Sequence, residues 1–198
     1  MIIDDKLNWK AHLTHLKSKL SRNSYAMAKL RDYVDEATMK MSYYSLIYPH
    51  LQYCISSWGA AASTNLDPII KLQKLILRYI CHQPSRSHTN PLFIKTEILK
   101  LNEIFELQIC KLMHKCKNNL NVGTTKTIKL KDKHNYNTRL ASTSNYFMPQ
   151  PRTNLGLMSF SYFGPKFWQG VPVELKSLNS VEFKSQYKKF LSARYTKD

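Results

Sequence analysis

The stretch Tyr43-Tyr44-Ser45-Leu46-Ile47-Tyr48-Pro49-His50-Leu51-Gln52-Tyr53-Cys54-Ile55-Ser56-Ser57-Trp58 decides how the chain reads. Its apolar residues at Tyr44, Ile47, Tyr48, Leu51, Ile55 and Trp58 recur in steps of three and four, which lays one aromatic-rich face along a helix. Pro49 has no backbone donor and clashes with the preceding turn, so the helix is expected to bend or restart there, with His50 and Gln52 on its less apolar side. Periodicity makes this a buried core helix, with Trp58 as its largest anchor.

The same period continues on both sides. Trp9, Leu13, Leu16, Leu20, Met27 and Leu30 predict a long amphipathic helix starting at Trp9, capped by Asn8 and ending near Asp32 to Val34. Asp35 and Thr38 are placed to cap the central helix, and Gly59 to end it. After a linker over Ala60 to Asn65, Asp67-Pro68 is expected to open a helix striped by Ile69, Leu72, Leu75, Ile76, Tyr79 and Ile80. Beyond the polar connector 81–91, Leu92 to Leu101 and Asn102 to Asn118 read as a short and a long helix. Asn, Gly and Thr break the pattern from Asn118 to Lys133, which divides the chain into a helical domain over 1–120 and a basic region over 121–198. In the latter, the aromatic runs Tyr146 to Met148 and Met158 to Tyr162 predict a short β-ribbon. Ser180 with Phe183, Tyr187, Phe190 and Leu191 predicts a capped terminal helix. The fold class is mainly α: a helical bundle, then a small irregular region and a terminal helix.

A chain of 198 residues, 43% hydrophobic, can bury roughly 70% of the surface its unfolded form exposes. With only 5 Gly against 12 Tyr and 8 Phe it reads as folded rather than disordered. No apolar run reaches the roughly 20 residues of a membrane helix and no secretory leader opens the sequence, so an intracellular protein, nuclear or cytoplasmic, with no membrane partner is expected. The net charge of +17 exceeds what solubility asks and points to a polyanion. It is denser beyond residue 120, where 13 basic residues face 4 acidic ones, than before it, where 17 face 9.

Cys54, Cys81, Cys110 and Cys116 are scattered through helical patterns, so reduced thiols are expected. Neither the 81–91 connector nor Cys110, His114 and Cys116 reproduces zinc spacing; no metal ligand is assigned, and Cys110 is expected to be buried with Cys116 half-exposed.

Several segments, in collinear order, resemble the region that follows the polymerase core in reverse transcriptases of non-LTR retrotransposons of the jockey and Rex type. The opening stretch is similar to their L-Y-x-x-L-I/V-x-P-H-L-x-Y-C-x-x-x-W segment, and Leu7 to Leu13 to the turn that leaves the palm and enters the first thumb helix. His134-Asn135-Tyr136-Asn137-Thr138-Arg139 resembles H-x-Y-N-T-R. Gly164-Pro165-Lys166-Phe167-Trp168-Gln169 resembles G-P-x-L/F-W-N, with Gln169 in place of the asparagine.

The resemblance implies a helical thumb-like bundle and post-thumb region of an RNA-directed DNA polymerase, binding template and primer nucleic acid beside fingers and palm that this sequence lacks. The intact parent would use Mg; no cofactor and no catalytic residue is assigned to this chain, because adjacent Asp4 and Asp5 follow only three residues and one of them belongs to the exit turn. The candidate nucleic-acid contacts are Lys10, Lys17, Lys19 and Arg22 on the first helix, Tyr136 for stacking and Arg139 for phosphate, and Lys184, Lys188 and Lys189 on the terminal helix. The rival reading is a non-enzymatic protein-interaction module, or a decayed or domesticated transposon remnant.

Overall fold

A computed structural model of the chain describes residues 1–118 and 146–196. The described chain is mainly helical: α1 Lys10–Leu30, α2 Glu36–Leu46, α3 Tyr48–Gln52, α4 Ile55–Trp58, α5 Ser63–Ile80, α6 Asn90–Thr96, α7 Leu101–Lys117, α8 Asn154–Leu157, α9 Phe160–Gln169, α10 Val173–Lys176 and α11 Ser180–Ala193, followed by a 3-10 turn at Arg194–Thr196. It forms two compact units, 1–105 with 191–198, and 106–190, so α7 and α11 each contribute to both. All but the first residue of the expected boundary between Asn118 and Lys133 lies outside the described residues. No helix among the described residues is long and apolar enough to cross a membrane.

In the first unit α1 lies along α5 and the central stretch packs beside them. Ile47, Leu51, Ile55 and Trp58 are fully buried, while Tyr44 and Tyr48 are half-buried and Tyr43 takes the inner place. The helix restarts at Tyr48 with Pro49 in its first turn, as proline's fixed φ favours. A second break follows that the sequence did not signal. Tyr53 is extended and Cys54 left-handed (φ 52°, ψ 25°), and the Trp58 indole N–H donates to the Tyr53 carbonyl at 2.8 Å, meeting an acceptor that the interrupted helix leaves free. Gly59 ends α4 where a Cβ would fall 2.5 Å from the Phe105 ring and 2.6 Å from the Ile55 carbonyl. Only a residue without a side chain fits there.

Several local expectations shift. α1 begins at Lys10 because Trp9 is left-handed (φ 63°) and takes the cap position without a side-chain cap bond; Asn8, expected there, lies one residue further out, its Oδ1 accepting the Lys10 N–H at 2.9 Å. Leu30, expected on the stripe, is exposed at the frayed end. α5 starts at Ser63 and takes Pro68 inside it, where proline forfeits one bond, to Thr64, early in an otherwise long helix. α6 ends at Thr96 because Glu97 turns left-handed (φ 56°). Asp35 accepts the Thr38 N–H as expected. The cap of α11 is Asn179, whose Oδ1 accepts from Val181 and Glu182; Ser180 lies one residue inside.

The second half of the expected ribbon is helical. Within 160–169 the aromatic rings meet partners three and four residues on: Phe163 lies 5.4 Å from Phe167, and Lys166 covers Tyr162 and Phe163 at 5.4 and 5.7 Å. That spacing belongs to a helix, and it overrides the β-propensity of the side chains. Among the described residues only Tyr146 holds a β-bridge.

The core of the second unit is aromatic. His114 stacks on Phe183 at 4.6 Å with Nε2 2.9 Å from the Leu178 carbonyl, and Phe183 stacks on Tyr187 at 5.4 Å. The Tyr187 hydroxyl donates to Glu106 at 2.7 Å and accepts from the Cys110 thiol at 3.4 Å. Cys110 is buried and Cys116 half-exposed, as the helical pattern predicts.

Candidate nucleic-acid interface

At 100° per residue, α1 buries His12, Leu13, Leu16, Leu20, Ser24 and Met27 along one side and distributes its cations over the rest. Lys10 and Lys17, seven residues apart, share one flank. With Leu13, Thr14, Thr64, Asn65 and Pro68 they line a groove of about 250 Å³ between α1 and the start of α5. The Asn65 amide donates to the Asn8 carbonyl at 3.2 Å, which fixes the first turn of α5 to the chain entering α1. Lys19 lies on the other flank and Arg22 on the outer face, so the four predicted cations form two sets rather than one stripe. Lys10, Lys17 and Arg22 are exposed, Lys19 is half-buried, and none of the four makes an ion pair among the described residues.

In the second unit α11 buries Phe183 and Tyr187 and leaves Lys184 and Lys189 exposed and Lys188 half-buried. Lys184 joins Lys111 and Lys115 of α7. Burial first, then the charges of Lys184 and Lys115, hold the Lys111 amine below the usual lysine range. Like charges gathered this way raise the local potential that an anion would relieve. The i, i+4 spacing of Lys111 and Lys115 was visible in the sequence, but their closeness to Lys184 was not. Lys176 is a different case: it is 5% exposed, its ammonium lies 5.5 Å from the Trp168 ring, and its carbonyl accepts from Lys117 at 2.5 Å. It supports the core. Tyr136 and Arg139 lie outside the described residues.

Asp4 organises the chain entering α1. Its carboxylate accepts the amides of Lys6, Asn8 and Trp9 at 3.1, 3.0 and 3.0 Å, closing the turn before α1. Among the described residues no group of three His, Cys, Asp or Glu side chains is placed to hold a metal ion.

No family model, curated protein or solved structure matches the chain. A functional reading of these surfaces therefore rests on their chemistry and on the motif resemblance in the sequence.

Proposed function

We propose that this chain is a non-catalytic nucleic-acid-holding segment of the kind that follows the palm in non-LTR reverse transcriptases. The observation that supports this most is the groove between α1 and α5, where the unpaired cations Lys10 and Lys17 and the hydroxyls of Thr14 and Thr64 stand together without a carboxylate among the described lining residues. Ammonium and hydroxyl groups at such spacing suit a phosphate backbone and read no base edges. The Lys111, Lys115 and Lys184 group offers a second phosphate contact.

Short duplex should bind with an affinity that falls steeply with salt and changes little with sequence. Each phosphate contact contributes a slope of about 0.9 in log affinity against log salt, so Lys10→Gln/Lys17→Gln should flatten it by up to about two units. Changing Arg139, Lys184, Lys188 and Lys189 to glutamine should flatten it by up to about four units, and more than the same change at Lys10, Lys17, Lys19 and Arg22. Equal losses from both fourfold variants would mean diffuse charge and no defined site. Primer extension with template, dNTPs and magnesium should stay at background; extension abolished by Asp4→Ala/Asp5→Ala would overturn the non-catalytic assignment.

The rival reading, a protein-interaction module, has one observation in its favour: Tyr25, Tyr33 and Met41 are 67, 86 and 72% exposed at the α1–α2 corner. Failure to bind duplex or single strand even at low salt would move it to the front.

A further inference from the structure

The second flank of α1 carries a feature that the nucleic-acid reading leaves unused. His12, His15 and Lys19 recur at i, i+3 and i+7, so they stand above one another on a single helix face. The break at Pro49 swings His50 of α3 toward them, and together these four side chains line a cavity of about 110 Å³ in the first unit, closed by Leu16, Tyr53 and residues 1 and 2. That is far more than the ~10–15 Å³ a single water needs. Among its described lining residues no Asp or Glu supplies a counter-charge.

His12 is 6% exposed, wedged between Trp9 and Trp58 with ring centres at 6.5 and 6.1 Å. Its Nδ1 lies 3.4 Å from the Ile2 amide as the acceptor, which puts the proton of the neutral ring on Nε2 and makes that edge a donor. Burial first, and the neighbouring His15 and Lys19 after it, hold its pKa below the ordinary histidine value. The titratable side chains facing His12 are thus His15 and Lys19 on its own helix, and His50 and Tyr53 from the α3 side. All but tyrosine are cationic or become so on protonation. Cations gathered without a counter-charge repel one another, and a small dense anion among them replaces that repulsion with attraction.

We infer that the cavity lined by His12, His15, Lys19 and His50 binds a single phosphate group. Lys19 and the protonated imidazoles of His15 and His50 present N–H donors and no acceptor, and His12 keeps its Nδ1 on the Ile2 amide with its Nε2–H as a donor, a set that matches the oxygens of a phosphate. The cavity holds one such group and no base. The phosphate has two sources, free inorganic phosphate or the end of a nucleic-acid strand, and both meet the same donors. Protonation of the histidines adds donors to the site while the phosphate sheds its own second proton over the same range, so affinity changes by up to about tenfold per pH unit for each net proton taken up on binding.

The test follows the side-chain ring signals of the histidines by NMR in the full chain, titrated with inorganic phosphate on either side of the histidine range, about pH 6 and about pH 8. The signals of His12, His15 and His50 should shift together along one saturable curve at the lower pH. His15→Gln/His50→Gln, at an exposed and a half-buried position that leave the core intact, should lose about tenfold or more at the lower pH, and Lys19→Gln should weaken binding at both. Unshifted histidine signals or wild-type affinity in the double variant would each overturn the site. A 5′-phosphorylated oligonucleotide that binds tighter than its 5′-hydroxyl twin, with the difference abolished in the double variant, identifies the strand end as the source; identical binding of the two identifies free phosphate. The site does not depend on the α1–α5 groove, so phosphate binding with no duplex binding would leave it standing while the proposed function fell.

Discussion

Trp58→Ala should lower the unfolding free energy by about 3–5 kcal/mol, the cost of an aromatic-sized cavity in a core that cannot fully close. The side chain is completely buried, and its indole N–H holds the Tyr53 carbonyl. The loss therefore has two parts, packing and the carbonyl left without a donor. Trp58→Phe restores most of the volume and not the hydrogen bond, and should recover most of the loss. An unchanged urea midpoint for Trp58→Ala, at unchanged slope, would show that the Trp-ended helix does not anchor the first unit.

The second large effect sits at Gln73, which no feature of the helical stripe marks. The residue is 2% exposed. Its Nε2 donates to the Tyr43 hydroxyl at 3.1 Å and to the Leu99 carbonyl at 2.9 Å, and its Oε1 accepts the Leu101 N–H at 3.0 Å. One amide thus ties the central helix, α5 and the start of α7 together. Gln73→Leu leaves the Leu99 and Leu101 backbone groups buried and unpaired, at about 1–3 kcal/mol each, so a loss of about 2–6 kcal/mol is expected in chemical denaturation. Gln73→Glu keeps the acceptor for Leu101, loses both donors and brings a buried charge, so it should be no better than leucine at neutral pH and should improve in acid as the carboxyl protonates. A stability loss below about 1 kcal/mol in Gln73→Leu would mean that water replaces the amide.

The helices were legible because their apolar residues repeat at the helical period: α1, α5 and α7 lie close to where Leu13, Ile69 and Ile104 put them. The interruptions were legible only where proline announced them. Nothing in Tyr53-Cys54 predicts a left-handed residue, because the cause is tertiary: the turn lets Trp58 reach the core and seal the Tyr53 carbonyl. The aromatic runs around Phe160 misled because β-propensity describes a half-buried surface, and here the rings found helical neighbours instead. At the candidate interface the sequence identified Lys10, Lys17, Lys19 and Arg22 by charge alone. Their separation into two flanks follows from which side of α1 is buried. The convergence of Lys111 with Lys184, or of His12 with His50, joins positions on different helices and has no local signature.

The 3-10 turn after α11 has a consequence for synthesis. The Tyr195 hydroxyl accepts the Lys100 N–H at 3.0 Å, its ring lies 6.2 Å from Phe93, and the Lys100 ammonium sits 4.4 Å above it. These residues belong to the unit formed by 1–105 and 191–198. That unit is discontinuous in the chain, so its first part leaves the ribosome with the place of Tyr195 open while residues 106–190 are made, a wait of several seconds at about 5–20 residues per second. Until the last turn arrives, the Phe93 ring and the Lys100 amide at the α6–α7 corner lack the partners that Tyr195 gives them.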